Sequence, residues 1–287
     1  MSSQITTAFV QQFSSNVQLL SQQKGSRLRG IVSQETVNGE KAFFDQIGQT
    51  AAIERTSRHG DTPLVETPHS RRMVTMKTFE WADLIDDADK VRLLIDPTST
   101  YAQAAAAAMG RAMDDQIIAA ATGTAKTGKT GATSTSLPAA QQIAAGGADM
   151  TLAKLLETKR ILDLADVDPD LPRHIVCSPH QIESLLNTTE VKNADFNTVK
   201  ALAQGQINSF LGFNFHMTNR LTKSSNDRTC FAFAGDGIKL AVGKDVTSKI
   251  DERADKSYST QVYYCATFGA TRMEEEKVVQ IVCDESA

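Results

Sequence analysis

Three groups of residues have the types and spacing that chemistry requires. Gly123, four residues, Gly128, Lys129 and Thr130 formally match a phosphate-binding loop. In such a loop, backbone N–H groups curl around phosphates, the Lys reaches the terminal phosphates and a hydroxyl holds magnesium. That geometry also needs a buried apolar strand before the loop and a helix after it. Here an Ala-rich helix end precedes it and ATSTSLPAA, with Pro138, follows, so the match reads as a Gly/Lys/Thr-rich hairpin or flexible loop. Asp83, Asp86, Asp87 and Asp89 could pair as metal ligands or as an acid and base. No His, Gly-rich turn or calcium-loop spacing accompanies them, and they read as the solvated face of a short helix in WADLIDDADKVRLLIDP. Cys177 with His180 would be a nucleophile and base, but the two stand three residues apart at a strand end, and a core Cys beside a surface His is the expectation.

The totals exclude further classes. The chain has 287 residues, 41% hydrophobic and 22% charged, with a net charge of -4 and a pI near 5.8. A protein whose main task is to grip nucleic acid normally has a basic surface, which this composition does not supply. Cys177, Cys230, Cys265 and Cys283 are far apart and lack the spacing of zinc ligands, so buried free thiols are expected. The N-terminus lacks the pattern of a signal peptide, and no stretch has the apolar length to cross a bilayer, so synthesis in the cytoplasm is expected.

Positioning falls first to Asp96–Gly123, which reads as one long helix. Asp96 is a capping residue, Pro97 fits the first turn, and Gly123 is a stop. Ala105, Met109, Ala112, Met113, Ile117 and Ala120 recur at helical spacing. The run Ala104 to Ala108 gives high helix propensity and permits close backbone approach. Ahead of it, Phe9, Phe13, Val17 and Leu20 form a narrow helical stripe that needs another surface. Val32 to Arg92 is polar and extended, with Met73 to Phe79 reading as a strand. Arg55, Arg58, His59, Arg71 and Arg72 flank GDTPLVETPHS, which includes Asp61. Two strands joined by this long loop would make a hairpin arm with too little apolar surface to fold alone.

After the long helix, Asp149–Val167 reads as a helix ended by Asp168-Pro169, and LPRHIVCS as a buried strand. Ser178 and Gln181 form a capping signal for the next helix, and Phe196–Ala203 reads as another. Phe213, Phe215 and Met217 alternate as a strand facing a core. Cys230–Ala234, the turn Gly235-Asp236-Gly237 and Ile238–Val242 read as a β-hairpin. Val246–Arg253, Thr260–Ala270 and Lys277–Asp284 complete the strands, so the class is α+β.

This order of parts resembles the major capsid proteins of tailed bacteriophages, which share the Hong Kong 97-like (Johnson) capsid fold. The features are an N-terminal arm, an extended basic hairpin, a long spine helix, LPRHIVCSPHQIESLL, GQINSFLGFNFHMTNRL and the closing FGATRMEEEKVVQIVCDES. The resemblance implies an arm over 1–35, an extended loop with flanking strands over 36–92, a peripheral domain over 93–148 and 243–287, and an axial domain over 149–242. It implies a non-enzymatic shell subunit that assembles as hexamers and pentamers around double-stranded DNA, with no cofactor and no membrane. Portal and separate scaffolding or decoration proteins are the expected partners, and the virion the expected location after assembly in the host cytoplasm. Arg55, Arg58, Asp61, Arg71 and Arg72 are the loop's candidate contacts, and Asp114, Asp115, Glu274, Glu275 and Glu276 their acidic candidates on neighbouring subunits. The loop tip ERTSRHGDTPLVE has no Lys, so a loop Lys–Asn crosslink is not expected. Two alternatives are the shell of a cargo-holding encapsulin-like compartment and a nucleotide-binding enzyme using Gly123–Thr130.

Overall fold

Alanine richness and a 3.6-residue apolar repeat give the chain its longest element. The computed structural model describes residues 21–58, 60–85, 98–187 and 209–286. The helical stripe from Phe9 to Leu20, His59, the acids Asp86, Asp87 and Asp89, the Asp96-Pro97 cap and the helix expected over Phe196–Ala203 lie outside the described residues.

In chain order the elements are β1 (Ser33–Thr36), β2 (Lys41–Ile47), β3 (His69–Thr75), β4 (Lys77–Ile85) and the spine helix α1 (Thr98–Thr122). Then come β5 (Ala125–Thr127), β6 (Thr133–Thr135), a single 3-10 turn (Ala139–Gln141), β7 (Gln142–Ile143), α2 (Leu152–Leu164), β8 (Arg173–Cys177) and α3 (Pro179–Asn187). From residue 209 onward the elements are β9 (Ser209–Phe210), β10 (Phe213–Met217), β11 (Lys223–Ser224), β12 (Asp227–Ala234), β13 (Ile238–Arg253), β14 (Ser259–Arg272) and β15 (Val278–Asp284), with a 3-10 turn between β13 and β14.

The described strands form three sheets: β1-β13-β14-β4, β7-β15-β12-β8-β10-β9 with β11 beside β12, and β2-β3-β5-β6. The fold is therefore mixed α+β. The six-strand path of the second sheet takes strands from both the 149–242 and 243–287 stretches, because β15 pairs with β12 from Asp227 opposite Asp284 to Phe233 opposite Val278.

One apolar cluster joins α1 to the first two sheets. Met109, Met113, Ile117 and Ala121 recur every four residues and are buried, meeting Leu240, Phe268, Phe231 and Phe233 in the same core. A 25-residue helix at 1.5 Å per residue spans about 37 Å, enough to run the length of a domain. No helix among the described residues is long and apolar enough to cross a membrane.

Several local expectations need correction. Trp81–Ile85 is strand, not helix, because β4 pairs with β14 from Lys77 opposite Phe268 to Ile85 opposite Thr260. The period-two set Phe79, Trp81 and Ile85 turns toward the core, with Phe79 stacked on Phe268 at 4.6 Å between ring centroids. Met73–Phe79 is two strands, broken at Met76, whose N–H bonds to the Glu40 carbonyl. β12 and β13 are not a hairpin: β12 pairs with β15 and β8, and β13 with β14 and β1. The Gly235-Asp236-Gly237 turn carries the chain from one sheet to another, held by Gly237 N–H to Ala234 O at 2.8 Å. Met217, expected to face the core, is 44% exposed at the end of β10.

Candidate functional site

The candidate functional site is a projecting loop, the root that fixes it, and a clamp that ties the N-terminal segment to the spine helix. β2 and β3 pair antiparallel from Lys41–Thr75 to Ile47–His69, so residues 48–68 form the loop between them. Ala42 and Phe44 on β2 pack with Val74, Met76, Ala241 and Met273 in a small core of their own. Among the described residues of the loop there is no comparable core: Ile53, Leu64 and Val65 are exposed, Leu64 at 95%. Arg55, Arg58 and Asp61 sit on this exposed stretch, and Arg55 donates to the Ser57 carbonyl within the loop at 2.9 Å.

At the root, Arg72 is buried, donates from Nε to the Met273 carbonyl at 2.6 Å and forms an ion pair with Glu275. Glu275 also lies 3.5 Å from Arg272, which is fully buried. Arg272 donates to the carbonyls of Ala121 at 3.1 Å, Gly123 at 2.7 Å and Thr135 at 3.2 Å. It therefore satisfies carbonyls left open at the C-terminus of α1, where a cation also meets the negative end of the helix dipole. Burial lowers the affinity of the Arg272 guanidinium for its proton, and the Glu275 carboxylate opposes that change. One carboxylate thus links the loop root to the end of the spine helix.

At the clamp, Asp114 is fully buried although it sits in the middle of α1. Its carboxylate accepts the N–H of Arg27 at 3.0 Å and of Leu28 at 3.1 Å, together with the Ser26 hydroxyl and the Gln23 amide. Arg111 donates to the Gln23 carbonyl at 3.1 Å. A Cβ on Gly110 would lie 2.4 Å from the Gly25 carbonyl carbon, so glycine is what lets this segment lie on the helix.

The sequence-derived candidates therefore divide. Arg71 pairs with Asp45, whose carboxylate is held below its usual range by the guanidinium. Asp115 pairs with Arg220, and Arg72 with Glu275, all within one chain. Glu274 pairs with Lys277 at 3.0 Å. Arg55, Arg58, Asp61 and Glu276 remain exposed. Charge pattern alone could not reveal Asp114, Arg72, Glu275 and Arg272 as internal partners, because a charged residue on a helix or strand reads as solvated. The only hint at Asp114 was its place beside Met113 and Ile117 on the apolar stripe.

The chemical alternatives find no geometry. Gly123–Thr130 is strand and turn: β5 pairs with β6 and β3, Gly128 N–H is bonded to the Arg71 carbonyl at 3.2 Å, and Lys129 is exposed at the hairpin tip. A strand-loop-helix cradle for phosphate is not formed. Cys177 is buried and its thiol is pushed up to about 12, chiefly by burial, while His180 turns to Asp149 at 2.8 Å. A thiol so hard to ionise is a poor nucleophile. Among the described residues no group of three or more His, Cys, Asp and Glu could hold a metal ion.

Comparison with known proteins places this architecture. The fold is similar to the capsid of the cyanophage P-SCSP1u, with a TM-score of 0.78 at 16% identity, covering 97% of this chain and 94% of that one. It is similar to the capsid of the Helicobacter pylori bacteriophage KHP30, with a TM-score of 0.76 at 12% identity over 97% and 96% of the two chains. The capsid of a native GTA particle matches at 0.71 and 12% identity over 99% of each chain. No curated protein matches the sequence significantly. The model of the phage capsid protein family matches residues 5–285, nearly the entire chain. A loop with no core of its own, a rigid helix that fixes its root, and this family match lead to one conclusion: the chain belongs to the phage capsid protein family, whose members are structural proteins and not enzymes.

Proposed function

We propose that this chain is the major head-shell subunit of a tailed phage, assembling with copies of itself into an icosahedral shell around double-stranded DNA. Hexamers and pentamers are the capsomers, and portal and separate scaffolding or decoration proteins complete the head. The observation that carries this reading is the loop at 48–68, which projects from a well-packed root yet leaves Leu64, Ile53 and Val65 in solvent. Isolated subunits gain nothing from such exposure, whereas a neighbouring copy would cover it.

In this reading residues 1–35 are the arm, 36–92 the extended loop and its strands, 93–148 with 243–287 the peripheral domain, and 149–242 the axial domain. α1 holds the loop root and the arm at a fixed angle. Arg55, Arg58 and Asp61 make the loop's polar contacts with neighbours, and Glu276 is the acidic candidate with an exposed side chain. The other acids are already engaged within the chain, so the inter-subunit set is smaller than the sequence implied. No catalytic step or cofactor enters. The net charge of -4 limits adhesion to the enclosed genome. The chain acts in the virion, after assembly in the host cytoplasm.

Electron microscopy of the purified full chain, alone and with its phage partners, tests this. Closed shells or capsomers are expected. Protein that stays monomeric under every such condition overturns the reading.

A further inference from the structure

Three strands of the first sheet run on past the point where the fourth stops. β1 pairs with β13 from Ser33 opposite Lys239 to Thr36 opposite Val242, and the Val37 N–H makes a last bond to the Val242 carbonyl at 3.0 Å. Register shifts between Val242 and Lys244 and between Lys244 and Thr247 follow, irregularities of the kind that bend a strand. From Thr247 to Arg253, β13 pairs with β14 without a break, and among the described residues no strand pairs with its other side. A regular edge of this length without proline is a template for another chain.

The side chains on this edge are unpartnered in a pattern. Ile250 stands opposite Val262, which is fully buried, so it lies on the face of the sheet that carries the core, yet it is 49% exposed. Lys249 and Asp251 point to the other face. Both are exposed, and neither forms an ion pair or a hydrogen bond among the described residues.

A two-fold axis normal to a sheet sets a strand antiparallel to its own copy, with the residue on the axis opposite itself. With Ile250 on that axis, Lys249 of each copy stands opposite Asp251 of the other, Ser248 opposite Glu252 and Thr247 opposite Arg253. Ile250 then meets Ile250 on the core-bearing face, and two pairs of opposite charge close the polar face. Moving the axis by one residue sets Lys249 against Lys249 or Asp251 against Asp251, and directly opposed like charges disfavour both registers. The open edge of β4 lacks this symmetry, because the register that brings its Lys77 opposite Asp83 sets Glu80 against Glu80.

We infer that the Thr247–Arg253 edge of β13 pairs with the same edge of a second copy about a two-fold axis through Ile250, making one continuous sheet across two subunits. This pairing rests on the shell reading and adds to it a two-fold contact separate from the 48–68 loop.

In the full-length chain, Ile250→Cys places two thiols face to face on the axis. Opposed residues of an antiparallel pair have Cα atoms about 4.5–5.5 Å apart, within the span of a disulfide. The four native cysteines are buried, so they contribute little background. After assembly and oxidation in air, Ile250→Cys shells are expected to yield covalent dimers. Thr247→Cys shells are expected to yield none, because their thiols would stand about 20 Å apart along the paired strands. Ile250→Cys shells that give no dimer, or Thr247→Cys shells that give as much, overturn the pairing and leave the shell reading standing. The charges test the register without a crosslink. Asp251→Lys sets like charges opposite each other twice and should raise the protein concentration needed for shells, read by light scattering, at an unchanged subunit melting temperature. Lys249→Asp combined with Asp251→Lys in one chain re-forms both pairs and should restore assembly. An unchanged requirement in Asp251→Lys, or no recovery in the double variant at normal subunit stability, overturns the pairing. An unsubstituted chain that forms neither shells nor capsomers overturns the shell reading and the pairing with it.

Discussion

The Asp114 carboxylate accepts the backbone N–H of Leu28 at 3.1 Å, and this bond fastens the middle of the spine helix to the N-terminal segment. Its acceptance of the Arg27 N–H at 3.0 Å makes the arrangement that of a helix cap, supplied here by a side chain 86 residues away in sequence from Leu28. Hydrogen bonds to a charged group contribute roughly 1.5–3 kcal/mol each, and leaving a buried N–H unpaired costs about as much. Asp114→Ala is therefore expected to destabilise the subunit by about 3–4 kcal/mol, measured by urea unfolding. Asp114→Asn, which keeps one acceptor oxygen, should lose less. An unchanged unfolding midpoint in Asp114→Ala would mean that the clamp carries no stability.

Gly110→Ala tests the same junction from the backbone side. Alanine is favoured over glycine in a helix by about 1 kcal/mol, so a free helix face would gain stability. Here the new methyl would lie 2.4 Å from the Gly25 carbonyl carbon and 2.5 Å from the Ser26 nitrogen, and backbone cannot swing aside. Net destabilisation and faster proteolysis between residues 21 and 31 are expected. Combined with Asp114→Ala, the loss should be less than additive, because the second change breaks a contact already lost.

Arg272 is expected to be the most sensitive residue at the loop root. Arg272→Met removes the donors to Ala121, Gly123 and Thr135 and leaves Glu275 with Arg72 alone. Breaking a buried charged network typically costs about 3–5 kcal/mol. Arg272→Lys keeps the charge but loses the planar fork, so it should recover only part. Equal unfolding midpoints for the Lys and Met variants would show that charge contributes nothing there.

Acid should loosen the second sheet through a pair of imidazoles, His174 buried and His216 half-buried. His174 Nδ1 lies 3.0 Å from His216 Nε2, and burial, reinforced by His216, pushes His174 down from 6.5 to about 4. The fold thus favours the neutral ring, while the unfolded chain takes up a proton more readily. Stability from this residue is complete above pH 6.5, falls as pH drops toward 4, and is gone below it. Glu285, held down to about 2 mainly by Arg228, has the same sign in a lower window between pH 4.5 and 2. Melting temperature against pH should fall less steeply between 6.5 and 4 in His174→Gln, with the remaining slope carried by His216, which burial also holds below its usual range, and by Glu285 below 4.5. A slope unchanged from that of the unsubstituted chain would place the titration elsewhere.

Legibility in the sequence followed the range of the interactions. α1 was readable because propensity, the spacing of Met109, Met113 and Ile117, and the Gly123 stop all act within a few turns. The β2–β3 hairpin with its long loop was readable for the same reason. Trp81–Ile85 was misread because the acids beside it suggested a solvated helix, while its actual state comes from β14, far along the chain. Gly235-Asp236-Gly237 looked like a hairpin turn, and a turn signal cannot say that the strands on either side join different sheets. The site was least legible where charges meet inside the fold. Asp114, Arg72, Glu275 and Arg272 are ordinary surface residues by type, and only the tertiary structure shows them buried.

That division also decides which charges belong to assembly. Arg58 and Glu276 are both exposed, in contrast to Arg72 and Glu275, which are held within the chain. Substitution of an exposed charge usually changes stability by less than about 0.5 kcal/mol, so Arg58→Glu should melt like the unsubstituted chain. Between copies the effect differs, because like charges brought face to face across an interface oppose association strongly. Arg58→Glu is expected to raise the protein concentration needed for shells, measured by light scattering. If Glu276 is the neighbour's partner, adding Glu276→Arg to the same chain restores assembly. The restored contact should weaken as salt rises, since the screening length is about 8 Å at physiological ionic strength. A swap that fails to restore shells, in a subunit of normal stability, would assign Arg58 to a different acid on the neighbouring copy.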